Sequence, residues 1–329
     1  MTTQCTLSKS MLPVFHHSRR LPSPPLRRRL SSQRTFPSPM ASSSSSSSER
    51  VVAAGGGGGG GWLPEFTNLS PSHRDLMAGI LSEIDSRAGP LLLPSSVPAD
   101  VRSFENEQGT CRGALDIRPG VVDGSTIDFI LASWLHCELP FGALDITTMF
   151  GFLNATTDAP HLLMEFIQSS PKSLIIFMDL LPRKDLVLHP DHLTTFYEDT
   201  HIDKQRQELE KFTGALPYFS NSLYIRSVLS PTAIALNISL AEDGEVNMEE
   251  VLRDRVIPVS KEVARTWLDK CVCSERVVSE VERADLVRRD SLIKTKTVEI
   301  DLAANLPRLF GPDVAERVVE AIQKAFKIK

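Results

Sequence analysis

Apolar and polar positions change period twice along the chain. Leu76, Met77, Ile80, Leu81 and Ile84 recur at helical spacing and predict a helix over about 71–87, with Ser72 and Asp75 as a short-acid capping box at its start. Strand-like segments follow. Ile127–Trp134 is rich in Ile, Phe and Leu, and Leu144–Phe152 alternates around Ile146 and Thr148. The polar break Ser169-Ser170-Pro171-Lys172 separates His161–Gln168 from Ser173–Leu180, as a hairpin connection would. Two helices near 191–199 and 202–212 precede a further expected strand, Leu223–Leu229. The last third returns to helical period. Met248–Arg255 and Lys261–Cys271 are amphipathic and divided by Pro258, and a highly charged helix, Glu275–Arg289, has Ser274 placed to cap it. A final helix begins at Pro312 after Gly311, with Val314, Val318, Val319, Ile322 and Phe326 on its inner face.

Sequential strands joined by short breaks predict antiparallel pairing. Helices at both ends of the chain and strands between them predict a three-layer α/β/α sandwich with a central antiparallel sheet. Leu174, Ile175, Ile176, Phe177 and Met178 are apolar in succession, as a strand covered on both faces requires.

Charge divides the chain in two. Residues 1–48 hold no Asp or Glu, while Lys9, Arg19, Arg20, Arg27, Arg28, Arg29 and Arg34 give them +7. The whole chain sums to −5, so the remainder carries −12. An Arg-rich, Ser-rich, acid-free N-terminus whose apolar stretches are broken by Pro and Arg has the composition of an organelle transit peptide, and its Ser and Pro favour a plastid; a basic tail without a targeting role would look the same. Ser42–Ser48 and Gly55–Gly61 form a low-complexity linker. The expected organisation is a transit peptide over 1–48, a linker over 49–61 and a single catalytic domain over 62–329, starting near Trp62. No window approaches the ~18 consecutive apolar residues of a membrane span, so a soluble mature chain is expected. The acidic body argues against general nucleic-acid binding. Cys5, Cys111, Cys137, Cys271 and Cys273 are scattered and odd in number, which argues against a disulfide framework; the C-x-C at 271–273 lacks a second pair for a tetrahedral metal site.

Dinucleotide, P-loop, zincin and nucleophile-elbow signatures do not occur in a fitting context. His189, His192 and His201 read as loop residues rather than ligands, and His136 beside Trp134 as a core or edge histidine. Two acids carry more interest. Period-two alternation puts Glu165 on one face with Leu163 and Ile167, and Leu162, Met164 and Phe166 on the other. Under a covering helix, Glu165 is either a proton donor with a raised pKa or a structural carboxylate paired with a buried Arg. Asp301 ends Thr297–Asp301, where a helix cap or turn role is the ordinary one; Glu299 shares its face if the segment is extended.

Several motifs together resemble the red chlorophyll catabolite reductases. They are Ile127-Asp128-Phe129-Ile130, Ser133-Trp134-Leu135-His136-Cys137, Gly151-Phe152-Leu153-Asn154 and Ile167-Gln168-Ser169-Ser170. Arg183-Lys184-Asp185-Leu186-Val187-Leu188, Tyr224-Ile225-Arg226-Ser227, Ser230-Pro231-Thr232-Ala233 and Leu306-Pro307-Arg308-Leu309-Phe310-Gly311 continue the series, so the resemblance runs from about residue 65 to the C-terminus. It implies the fold of ferredoxin-dependent bilin reductases and a stromal enzyme of chlorophyll breakdown in senescence. That enzyme would reduce red chlorophyll catabolite to the primary fluorescent catabolite with two electrons, delivered singly by reduced ferredoxin, and two protons. It further implies no bound cofactor or metal, a homodimer, and catalytic acids at Glu165 and Asp301. Leu229 falls where the family shapes its pocket and influences product stereochemistry.

Ferredoxin is acidic, so docking requires a local basic patch: Arg183-Lys184, Lys204 with Arg206, or Arg288-Arg289 with Lys294 and Lys296. Competing expectations are a pigment-sequestering protein of the same fold, which would not need both acids, a plastid interaction protein without a small-molecule site, and a reductase of another bilin.

Overall fold

A computed structural model of the chain describes residues 69–328 except Phe141, Glu242, Asp243 and Val277. The expected transit peptide, the linker and the start of the body near Trp62 lie outside the described residues.

Eight strands pair into one antiparallel sheet: β1 (Ser103–Glu105), β2 (Cys111–Pro119), β3 (Ile127–Leu139), β4 (Gly142–Leu153), β5 (His161–Ser170), β6 (Ser173–Leu181), β7 (Ala215–Pro217) and β8 (Ile234–Ser239). Their order is β1-β2-β3-β4-β5-β6-β8-β7, so the long strands are nearest neighbours in sequence and only β8 pairs across an inserted helical segment. The β5–β6 turn falls at Pro171-Lys172, inside the expected break.

The helices are α1 (Pro71–Ala88), α2 (Pro190–Leu193), α3 (Ile202–Glu210), α4 (Leu223–Val228), α5 (Met248–Val251), α6 (Ile257–Trp267), α7 (Glu280–Thr297), α8 (Ala303–Phe310) and α9 (Pro312–Phe326). They cover both faces. On one, α1 and the α5–α6 run bury Leu162, Met164 and Phe166 of β5 and Ile176 and Met178 of β6. On the other, α7, α8 and α9 pack on Leu163, Ile167, Ile175 and Phe177. The structure thus has the three-layer sandwich that the strand pattern predicts, and the alternation in β5 puts Glu165 under the C-terminal helices.

Several local expectations are corrected. Leu223–Leu229 is not a strand: Ser222 accepts the Ile225 N–H, and Ile225 and Val228, three apart, turn inward as a short helix requires. Strands β1, β2, β7 and β8 went unpredicted. Ser70, not Ser72, caps α1, because Pro71 takes the first helical position. Pro258 does not divide its helix. A π-helical turn at Leu252–Val256 lets the Ile257 N–H reach Leu252 O, and the proline then enters as a first-turn residue of α6. The charged helix begins at Glu280 under a Ser279/Glu282 capping box rather than at Ser274, and runs on to Thr297. In α9, Val318, Ile322 and Phe326 are buried as expected, while Val314 and Val319 are only partly buried.

One buried ion pair ties α7 to the sheet. Asp290 of α7 accepts from Arg183 Nε at 3.2 Å and Nη2 at 2.6 Å, and lies 2.9 Å from His161 Nε2. His161 Nδ1 accepts the Leu153 N–H, so its proton sits on Nε2 and points at Asp290. Burial lowers the His161 pKa to about 4, leaving a neutral imidazole beside a charged pair.

The opposite layer depends on a close approach. Trp267 is fully buried, donates to Pro160 O, and lies over Gly151, where a Cβ would come within 2.6 Å of its ring. Gly151→Ala is therefore expected to cost about 1–3 kcal/mol in urea unfolding. Combined with Trp267→Phe the two costs should fall well short of their sum. Additive costs would contradict this packing.

Candidate active site

Glu165 projects from the middle of β5, opposite Thr148 of β4 and Phe177 of β6. Asp301 reaches the same space from above. It lies in a π-helical turn, Val298–Leu302, that continues α7, and the Ala303 N–H bonds to Val298 O. Asp301 follows Asp290, Ile293 and Thr297 at helical spacing, on the buried side of that run. Asp301 is therefore inside a helical run and not a cap at its boundary. Asn305, one turn on, donates through Nδ2 to the Asp301 carbonyl at 3.0 Å and carboxylate at 2.9 Å, which fixes its rotamer. Glu299 does not share this face; it is exposed and paired with Lys296.

Both acids line one cavity between the sheet and the C-terminal helices, with Ser133, Thr148 and Thr297 as further polar groups in a largely apolar wall. An adjoining cavity of about 520 Å³ shares Phe150 and Thr297 and continues toward α4. Its walls are Phe152, Leu163 and Leu181 from the sheet, and Tyr224, Val228 and Leu229 from α4 and its end. The two together form an elongated, apolar space with a few convergent polar groups, the usual character of a small-molecule site. Beyond it opens a cleft of about 1220 Å³ lined by Lys184, Arg288, Arg289 and Lys296 along with Glu282 and Asp285.

Electrostatics couples these two acids. Burial pushes Glu165 well above the usual carboxylate range, and the charge of Asp301 adds to the shift, with the Thr148 hydroxyl bond opposing it. Burial raises Asp301 to about 6 against the Asn305 bond. Two neighbouring carboxyls in an apolar space cannot both ionise cheaply, so the pair retains a proton near neutrality. The Tyr218 hydroxyl, raised to about 12 by burial and then by the Glu165 charge, borders the same acid.

Sequence reasoning missed Thr148, Asn305 and Tyr218. The first two had a signal: Thr148 lies on the alternating face of β4, and Asn305 follows Asp301 by one helical turn. Leu229 lines the adjoining cavity. His192 is not a loop residue but is buried against Asp158 and Arg276. Among the described residues, no three His, Cys, Asp or Glu side chains converge as metal ligands.

Residues 72–324 match the family described as red chlorophyll catabolite reductase (RCC reductase). The chain is 47% identical over 260 residues to the chloroplastic red chlorophyll catabolite reductase 1 of Oryza sativa subsp. japonica, covering 78% of this chain and 79% of that one. It is 46% identical over 268 residues to the chloroplastic enzyme of Arabidopsis thaliana, covering 80% and 83%. Among solved structures it is similar to phytochromobilin synthase from tomato in complex with biliverdin, with a TM-score of 0.59, 20% identity, and coverage of 77% of this chain and 82% of that one. At that identity the likeness shows a shared fold.

The raised pKa values have a sign. A carboxyl whose folded pKa exceeds its unfolded value of about 3.9–4.3 contributes stability below that range and loses it as pH rises through the folded pKa. Unfolding free energy should therefore fall as pH rises through about 6, and Asp301→Asn should flatten that fall. At pH ~7 infrared difference spectra should show a protonated-carboxyl band that Glu165→Gln removes. A pH-independent stability and no such band would contradict the buried pair.

Proposed function

This chain belongs to the red chlorophyll catabolite reductase family, and from that premise we propose that it reduces red chlorophyll catabolite, an open-chain tetrapyrrole, to the primary fluorescent catabolite in the chloroplast stroma. The observation that carries this reading is the pair of buried carboxyls, Glu165 and Asp301, lining one largely apolar cavity that adjoins a second.

The tetrapyrrole lies between the sheet and α7–α9, its rings against Phe150, Phe152 and Leu163. Electrons come singly from reduced ferredoxin to the bound pigment. The first makes the conjugated system more basic, and a neighbouring carboxylic acid then donates a proton. Glu165, the more strongly protonated of the two, supplies one proton; Asp301 supplies the other, or orients the substrate while Glu165, reprotonated from solvent, supplies both. Two electrons and two protons give the reduced product, and the acids regain their protons from solvent. The pigment carries the redox chemistry; the protein contributes position, a dry environment and protons.

Ferredoxin delivers its electrons over the cleft next to the adjoining cavity. Arg183 is buried in its pair with Asp290, Lys294 in its pair with Asp128, and Arg206 bonds to Asp203 and Glu210 on its own helix. Lys294 thus drops out of the Arg288-Arg289 patch and Lys296 is paired with Glu299, but Arg288 is exposed at the cleft with Arg289 beside it, which favours this pair as the docking point.

The test is an anaerobic assay with red chlorophyll catabolite and a ferredoxin-reducing system. Fluorescent product should form only when protein and reduced ferredoxin are both present; pigment binding without product would favour sequestration. Glu165→Gln and Asp301→Asn should stay folded and lose about 100-fold or more in kcat, the usual share of a general acid. Folded variants with wild-type rates would remove these roles. Arg288→Glu should slow turnover about fivefold at low salt, and the difference should shrink as salt screens the encounter. A rate unchanged by that reversal would rule out the patch.

A further inference from the structure

A third acid is buried on the sheet face of Glu165 and has no part in the chemistry above. Asp179 stands opposite Leu163 in the β5–β6 register and is fully buried. Pairing of β6 with β8 runs from Ser173↔Ser239 to Met178↔Ile234 and stops one residue short of it. The carboxylate continues where the backbone ladder ends. Its Oδ2 accepts the Ser230 N–H at 2.7 Å and its Oδ1 accepts the Ser230 hydroxyl at 2.5 Å. Ser230 Oγ in turn accepts the Thr232 N–H at 3.1 Å, and the Ala233 N–H reaches Ser230 O at 3.3 Å. Asp179, residues 230–233 and the start of β8 are thus one hydrogen-bonded unit.

Immediately before this turn come Val228 and Leu229, part of the α4 wall of the adjoining cavity. The wall facing them includes Leu163 and Leu181, the neighbours of Asp179 across and along the sheet. A helix of six residues cannot hold its own place, since so few intrahelical bonds do not offset the cost of nucleation. It needs an anchor where the chain returns to the sheet. An apolar residue at 179 would bury more favourably, because burial raises this carboxyl to about 7 against its Ser230 bonds. An acid retained at such a cost marks a clamp.

We propose that Asp179 is a positioning residue: by clamping Ser230 it holds Leu229 and α4 against the pigment and sets how the tetrapyrrole is presented to Glu165 and Asp301. The inference rests on the reductase reading above. A residue that serves only stability would, when lost, lower the active fraction and hence kcat, leaving KM and product composition alone. A displaced wall changes both of the latter.

The experiment compares KM, kcat and the epimer composition of the product for the wild type, Asp179→Ala, Asp179→Asn and Ser230→Ala. In Asp179→Ala, KM is expected to rise about tenfold, as for the loss of a charge-assisted hydrogen bond, with kcat within about threefold and an altered epimer ratio. Asp179→Asn keeps an acceptor for the Ser230 N–H and should recover most of the difference. Ser230→Ala should reproduce part of it, which keeps the test open should Asp179→Ala not fold. Unchanged KM and epimer ratio in the folded variants would overturn the clamp. A wild type that makes no product would count against the reductase reading instead. The dissociation constant for red chlorophyll catabolite then decides: about tenfold weaker binding in the variants supports the clamp, and equal binding overturns it.

Discussion

The Arg183–Asp290–His161 contact is the constraint on which the cavity face of the sheet depends. It is buried, it joins α7 to β5 and to the segment after β6, and it sits at the start of the line that leads down α7 to Asp301. Removing one partner of such a pair typically costs about 3–5 kcal/mol, because the other charge is left buried and alone. Arg183 Nη1 also donates to Thr157 O at 2.5 Å and to Asn154 O at 3.1 Å, so the guanidinium closes the β4–β5 connection as well. The helix that carries one acid is thereby registered against the strand beside the other.

Five of the buried acids fall into two groups by their surroundings; Asp116, raised by burial with Arg102 at 3.5 Å, belongs to neither. Asp290 has Arg183, and Asp158 has His192, Arg276 and Lys184; despite burial, hydrogen bonds and opposite charge hold both carboxyls well below the usual range. Glu165 and Asp301 are buried beside each other in an apolar wall, Asp179 is buried with Ser230 as its side-chain partner, and all three are shifted upward. The first group holds the structure together. The second is retained at a cost in stability and clusters on the face of the sheet that borders the cavities, the pattern expected of groups kept for function. A structural carboxylate paired with a buried Arg does exist in this protein, but it is Asp290, not Glu165.

Legibility in the sequence followed the range of the signal. Alternation in β5 is local, and it assigned Glu165 to its face because Leu163 and Ile167 repeat at period two. The layered fold was readable for the same reason, strand by strand. Most of what failed depended on geometry with no local mark; the Ser279–Glu282 capping box at the start of α7 is an exception, being legible as Ser-x-x-Glu. The π-helical turns at 252–256 and 298–302 carry a helix through Pro258 and past Thr297, and nothing in residue type announces an inserted residue in a helical turn. Helix α4 reads as a strand because Leu223, Tyr224, Ile225 and Val228 are strand-prone; its identity is decided by the Ser222 cap and by packing on the sheet. Asp179 interrupts an apolar run from Leu174 to Leu181, a visible anomaly, but its partner Ser230 is 51 residues away and only the fold brings them together.

The proposed mechanism has electrons reach the bound pigment one at a time, with Glu165 donating a proton and Asp301 orienting the pigment or donating the other. Rapid-freeze electron paramagnetic resonance on pigment-loaded protein mixed with reduced ferredoxin tests this most directly. The account predicts that Glu165→Gln or Asp301→Asn stalls the reaction after an electron has arrived, so that an organic radical accumulates that the wild type does not build up. Wild-type product formation in both variants, with no radical, would contradict it.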